Sequence, residues 1–111
     1  MCTQNQAKDI LREVYQQCSA RFPCGVQDAF LYGSYARGDF HAESDVDILL
    51  TVDSDDVSSL RKIAAAVSSD LSLKHDVTVS ISLKPAAQFR RYSQSLPFYR
   101  DVLREGIRYT S

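Results

Sequence analysis

A Gly-Ser step after one apolar run, and an Asp-x-Asp at the head of the next, constrain this chain more than any other feature. Gly33-Ser34 closes the run at residues 26–32, and Asp45-Val46-Asp47 opens the run at 45–52. Both runs have the length and the apolar, partly β-branched content of buried strands. Glycine at the end of a strand lets backbone approach whatever lies opposite, because no Cβ intervenes. Asp45 and Asp47 are two apart on an extended chain, so both carboxylates project from one face while Val46 and Ile48 enter the core. Two such carboxylates repel unless something positive sits between them.

The remaining segments read as scaffold. Thr3 and Gln6 form a capping box, and Ala7, Ile10, Leu11, Val14, Tyr15 and Cys18 recur at helical spacing, predicting a helix to about Arg21. Phe22-Pro23-Cys24-Gly25 breaks it. A short helix is expected from Gly33, released at Gly38. Ser54 is the expected cap of a helix that carries Val57, Leu60, Ile63, Val67 and Leu71 on one side. Residues 76–83 alternate, with Val77, Val79 and Ile81 against Asp76, Thr78, Ser80 and Ser82, which predicts a third strand with one polar face. Pro85 opens a helix through Phe89 and Tyr92, Pro97 interrupts it, and a last helix ends at Gly106. The predicted order is α-β-α-β-α-β-α-α, an α+β or α/β fold with a small mixed sheet and helices mainly on one face.

With 111 residues, one domain spanning 1–111 is expected, burying roughly two-thirds of its unfolded surface. Thirteen basic residues against fourteen acidic give a net charge of −1, so no global field draws the chain to nucleic acid or membrane, and direct polynucleotide binding is not expected. Charge is uneven, however: from Lys84 to the C-terminus six basic residues face only Asp101 and Glu105. That stretch reads either as a solvated helix face or as a surface for an acidic partner. Cys2, Cys18 and Cys24 are odd in number and form no Cys-x-x-Cys, which argues against a disulfide framework or zinc site and for reduced thiols in the cytoplasm. No leader-like or membrane-length apolar run is present, so secretion and membrane spanning are not expected.

The chemistry follows from the opening pair. A helix starting at Gly33 offers unpaired amides to phosphate, Ser34 adds a hydroxyl, and Arg37, one turn on, adds a fork of donors. Ser44, in the connecting loop, is a further candidate for contact with phosphate. A hard dication with oxygen ligands resolves the Asp45–Asp47 conflict, and magnesium characteristically takes one or two protein carboxylates plus substrate phosphates. Asp76, on the expected polar face of the third strand, would be a third acid and so allow two-metal catalysis. Each residue also has an ordinary reading: Gly33-Ser34 as a plain strand-to-helix turn, Asp76 as a solvated strand end, Arg37 as a surface ion pair, His75 as an exposed loop residue, and Tyr32 and Tyr35 as packing rather than base-stacking groups.

Leu31-Tyr32-Gly33-Ser34-Tyr35-Ala36-Arg37-Gly38 followed by Ser44-Asp45-Val46-Asp47-Ile48-Leu49 closely resembles the signature of the minimal nucleotidyltransferases of the DNA polymerase beta-type superfamily. The resemblance spans nearly the whole chain, including a C-terminal segment (Leu96-Pro97-Phe98-Tyr99 to Glu105-Gly106-Ile107) like that of small prokaryotic members. It implies a polymerase beta palm-like fold, and that Gly33 and Ser34 hold the β- and γ-phosphates. It further implies that Asp45 and Asp47 ligate two Mg2+ ions, and that Asp76 completes the catalytic metal site and helps deprotonate the acceptor. The third strand is more hydroxyl-rich than is usual for the family, with Asp76 at its very start.

The implied reaction moves a nucleoside monophosphate, AMP if ATP is the substrate, to an acceptor hydroxyl. Small members are often encoded with a helical HEPN protein, and some act as antitoxins that adenylylate a tyrosine on it. Two alternatives stand beside this: a non-catalytic subunit that neutralises a HEPN partner by binding, and a small-molecule nucleotidyltransferase of the aminoglycoside type, which the short chain disfavours. With no second domain to complete the cleft, a homo- or hetero-oligomer is expected, with Phe89, Tyr92, Phe98 and Tyr99 as its contact surface.

Overall fold

The computed structural model describes residues 2–110; Met1 and Ser111, at the ends of the two terminal stretches considered above, lie outside the described residues. The element order is α1 (Gln4–Arg21), β1 (Asp28–Tyr32), α2 (Ser34–Arg37), β2 (Val46–Val52), α3 (Ser58–His75), β3 (Val79–Pro85), α4 (Ala86–Tyr92), α5 (Pro97–Glu105) and β4 (Ile107–Arg108). The four strands form one mixed sheet in the order β3-β2-β1-β4. β1 and β2 pair antiparallel from Asp28↔Thr51 to Tyr32↔Asp47. β2 and β3 pair parallel from Val46↔Val79 to Val52↔Pro85, joined by the α3 crossover that a parallel pair requires.

Strand alternation divides the interior in two. Ala29, Leu31, Val46, Ile48, Leu50, Val52, Val79 and Leu83 point to one face, where they pack with Ile10, Leu11, Val14 and Cys18 of α1 and Leu60, Ala64, Val67 and Leu71 of α3. Burial pushes the Cys18 thiol up to about 11, so it stays protonated and packs as a small apolar group. Phe30 and Leu49 point to the other face and meet Phe89 of α4 with Tyr99 and Val102 of α5. The two long helices thus share one face, and the two short C-terminal helices cover part of the second.

The Thr3–Gln6 capping box forms as the sequence predicts, with Thr3 Oγ1 accepting from the Gln6 amide at 3.1 Å and the Gln6 side chain accepting from Thr3 at 2.9 Å. Four expectations are corrected. α3 starts at Ser58 rather than from a Ser54 cap: the Asp56 carboxylate, two residues nearer, accepts from the Ser58 amide at 3.2 Å, while Ser54 accepts from the Asp56 amide. A two-residue β4 follows Gly106 and pairs with β1, at Phe30↔Arg108 and Leu31↔Ile107, where the sequence predicts no strand. Phe89 and Tyr99 are core residues of the second face, so of the four aromatics expected at a contact surface only Tyr92 and Phe98 are exposed.

The fourth correction concerns Asp76. It does not begin β3; it ends α3, as a left-handed C-terminal residue with φ 53° and ψ 47° whose amide donates to the Ser72 carbonyl. Aspartate tolerates this conformation better than most residues, and here it reverses the chain so that β3 begins at Val79. His75, expected in a loop, is the last residue of α3, and its Nε2 lies 2.6 Å from Glu13 Oε2 on α1. Asp76→Gly relieves the positive φ but frees the unfolded chain, two opposing effects of about 1 kcal/mol or less. A thermal midpoint within about 5 °C of wild type is therefore expected by calorimetry; a drop beyond about 10 °C would contradict this capping role.

Candidate active site

The site is built on the β1–β2 hairpin. Gly33 has φ 77° and ψ −155°, a region open only to glycine, and it turns the chain from β1 into α2. A Cβ placed there would lie 2.6 Å from Asp47 Oδ2, so glycine is required twice over, for its backbone angles and for room. The pairing of Tyr32 with Asp47 brings the carboxylate under the turn. Gly38, at φ 86°, ends the short helix, and Gln4 of α1 holds its backbone by donating to the Tyr35 carbonyl at 2.9 Å.

Asp45 is exposed just before β2, and Asp47 is half-buried within it. The Asp47 carboxyl is held above the ordinary aspartate range, first by burial and then by the Asp45 charge; Arg37 opposes the shift. Arg37 is itself exposed, 3.2 Å from Asp39 and 3.9 Å from Glu105. The pair is therefore short of positive charge. Ser34 opens α2, and Ser44 Oγ accepts from the His41 amide at 2.9 Å, which shapes the loop that delivers Asp45.

Gly33, Asp45 and Asp47 come together as the spacing predicts, but Asp76 does not join them. Among the described residues no group of three His, Cys, Asp or Glu side chains is placed to hold a metal ion. The β3 residue in register with Asp47 is Ser80, and Ser82 follows on the same face. Two carboxylates suit an ion that completes its shell with ligand oxygens and water, as magnesium does; they do not form a cage of their own.

Beside Gly33 lies a cavity of ≈ 270 Å³, walled by Tyr32, Arg37, Phe98 and Glu105 among others. Tyr32 is half-buried, 3.4 Å from Ser82 Oγ and edge-on to Phe98 with ring centres 5.4 Å apart. Burial raises its phenol above the usual tyrosine range, so it stays neutral. Tyr35 settles as packing: it is fully buried and stacked on Phe40 at 4.4 Å. The sequence reading did not set Ser80 opposite Asp47 or Phe98 beside Gly33, although the alternation at 76–83 already put Ser80 on the polar face.

A mixed sheet that sets a glycine turn against paired carboxylates defines a nucleotide-handling transferase architecture. Residues 11–109 match the nucleotidyltransferase domain family, and the chain belongs to it. It is 33% identical over 104 residues to a Methanocaldococcus jannaschii protein provisionally named as a protein adenylyltransferase, MJ0604, covering 92% of this chain and 95% of that one. A second protein of that organism with the same provisional name, MJ0141, is 33% identical over 72 residues, 65% of this chain and 73% of that one.

Solved structures with similar backbones include a toxin–antitoxin crystallised with AMP-PNP, at 21% identity and TM-score 0.57, covering 99% of this chain and 75% of that one. Another is a protein from Sulfolobus solfataricus provisionally named as a nucleotidyltransferase, at 17% identity and TM-score 0.63, covering 96% and 81%. These likenesses establish the polymerase beta-like fold.

The raised Asp47 carboxyl carries a stability consequence. A folded-state value above the unfolded one means the native state binds more protons, so stability falls as pH rises through that window. At neutral pH without divalent ions, Asp47→Asn is expected to raise the thermal midpoint. Added Mg2+ is expected to raise the midpoint of the wild type and not that of the variant. Differential scanning fluorimetry with Mg2+ or EDTA reads both; equal responses would refute the carboxylate pair as an ion site.

Proposed function

We propose that this nucleotidyltransferase is a Mg2+-dependent adenylyltransferase. On this reading it moves AMP from ATP to a hydroxyl of a partner protein in the cytoplasm, and that partner is a tyrosine-bearing, HEPN-type toxin that the chain neutralises. The carrying observation is the apposition of Gly33 and Asp47, with Asp45 alongside: a carboxylate pair short of positive charge, beneath backbone that phosphate can approach. The provisional adenylyltransferase names of two relatives and the toxin–antitoxin assemblies among structures of the same fold support the nucleotide and the kind of partner.

On this reading Gly33 and Ser34 receive the β- and γ-phosphates, and Arg37 and Ser44 would add contacts to them. Asp45 and Asp47 would hold magnesium, which neutralises triphosphate charge and polarises Pα. Tyr32 and Phe98 wall the cavity beside the turn. The acceptor oxygen forms a bond to Pα, the Pα–O–Pβ bond breaks, pyrophosphate leaves, and the acceptor proton passes to the carboxylate pair. This reading assigns no step to Asp76, which ends α3 in a left-handed conformation.

One observation favours a second reading, a subunit that neutralises its partner by binding alone: Ser80 stands where a third strand acid would face Asp47. The test is transfer of label from α-labelled ATP to a co-purified partner. Transfer is expected to need Mg2+ and to fall at least about 10²-fold in Asp47→Asn, as when a transition-state charge contact is lost. Ser80→Asp, which adds an acid in register, is expected to speed transfer. No label on the partner, together with full neutralisation by the Asp45→Asn, Asp47→Asn double variant, would decide for binding alone.

A further inference from the structure

Outside the cavity beside Gly33, the most developed feature is a cleft of ≈ 580 Å³ along the free edge of β3. Among the described residues β3 is the terminal strand of the sheet and carries no strand on its outer side. The Val46 amide donates to the Thr78 carbonyl at 2.8 Å, which fixes the phase of the parallel ladder. The backbone groups of residues 78, 80, 82 and 84 therefore turn toward β2, and those of Val79, Ile81 and Leu83 turn outward.

Val79 is already occupied. Its amide donates to Ser72 Oγ at 2.9 Å, and its carbonyl accepts from Ser68 Oγ, both serines lying on α3. Beyond Val79 this closure stops. Among the described residues no side chain bonds to the outward backbone groups of Ile81 or Leu83, a row of strand donors and acceptors that folds usually cover or blunt. Ala64 and Ala65 of α3 wall the cleft with the smallest side chains available, leaving room beside the strand. Asp45 lies at one end of the lining, and Arg61 and Lys84 supply its positive charge.

We infer that this edge receives an extended segment of the acceptor protein as an added strand, laying a hydroxyl-bearing side chain beside Asp45 and acidic side chains against Arg61 and Lys84. The inference rests on the transferase reading above. Main-chain pairing to Ile81 and Leu83 gives the affinity, and the charged side chains set orientation and choice of partner. A strand lies about 4.8 Å from its neighbour and advances about 3.3 Å per residue, so the span from Val79 to Lys84 takes five or six residues of the guest. The acceptor hydroxyl is thereby delivered to the carboxylates by sheet register. The substrate itself thereby supplies one wall of the cleft.

The probe is a ten-residue strand-forming peptide of alternating Thr and Val, with a Tyr near one end and a Glu four positions away. The control carries Lys in place of that Glu. Amide exchange followed by NMR on the full chain is expected to show new protection at Ile81 and Leu83 with the probe, and much less with the control. Ile81→Pro removes one outward N–H without touching the ladder to β2 and is expected to weaken probe binding about tenfold. Should that variant fold poorly, the Arg61→Glu, Lys84→Glu variant keeps the backbone intact and is expected to reverse the preference between the two peptides.

No added protection at Ile81 and Leu83 at millimolar probe overturns the inference, as does protection that appears without peptide and grows with protein concentration, since the edge would then join two copies of this chain. Protection without label transfer to the probe tyrosine supports the docking edge and counts against the catalytic reading. Transfer to a co-purified partner that is indifferent to both variants does the reverse.

Discussion

The register between β1 and β2 is the constraint on which the rest depends. Pairing Tyr32 with Asp47 does three things at once: it closes the hairpin, puts Asp47 on the sheet face away from α1 and α3, and sets Gly33 over the carboxylate. A slip of one residue would send Asp47 into the main core and expose Ile48 in its place. Register is held by what lies behind the sheet. Leu31, Ile48 and Leu50 are fully buried, and at the far end the buried Thr51 hydroxyl accepts from the Asp28 amide at 2.9 Å. The apolar face fixes the phase, and the site is the opposite face of the same alternation.

That division lets a small protein keep a stressed site. The face toward α1 and α3 holds the larger apolar cluster and most of the fully buried side chains. The other face is covered by α4 and α5 only around Phe30 and Leu49, leaving Asp47, Ser80 and Ser82 half-buried. Burial and the Asp45 charge make an ionised Asp47 unfavourable. A few kcal/mol is a large part of a small domain's stability, so such a group persists only where the remaining packing tolerates it. A cation bound there would turn the same arrangement from a strain into an attraction and so couple ion binding to stability.

Most of this was legible in the sequence, because the relevant signals are local. The Thr3–Gln6 box, the apolar spacing of α1 and α3, the two central strands and the glycine turn each announce themselves within a few residues. What escaped is fixed by distant partners. Residues 76–83 alternate like a strand from their first residue, yet α3 runs on to His75, where Lys74 and His75 both reach Glu13 of α1, at 2.5 and 2.6 Å. That clamp lies 61 and 62 residues away in sequence and has no local trace. β4 is likewise a long-range product: two residues that pair with β1 while Arg108 reaches Asp28 at 2.5 Å. Phe89 and Tyr99 looked like surface aromatics because they flank basic residues. They are buried because Phe30 and Leu49 project from the second face of the sheet, and only the three-dimensional pairing shows it.

With Asp76 at the end of α3 rather than on β3, the proposed reading divides the labour differently across the sheet. With three acids in place, one constellation would bind nucleotide and activate acceptor together. Here β1 and β2 carry the glycine turn and both carboxylates, while β3 presents Ser80 and Ser82 to the site and an open backbone edge to solvent. Hydroxyls there neither repel Asp47 nor bind an ion strongly, so on the proposed reading they would leave the carboxylate pair to nucleotide and metal. On the proposed reading the nucleotide half of the site is complete on one hairpin. The acceptor half consists of position alone, and position can supply much of the barrier lowering when a bimolecular step is made effectively unimolecular. β3, which sets Ser80 rather than an acid opposite Asp47, is also the strand whose edge is free to pair, so on the proposed reading the element that adds no metal ligand is the one suited to aligning the substrate.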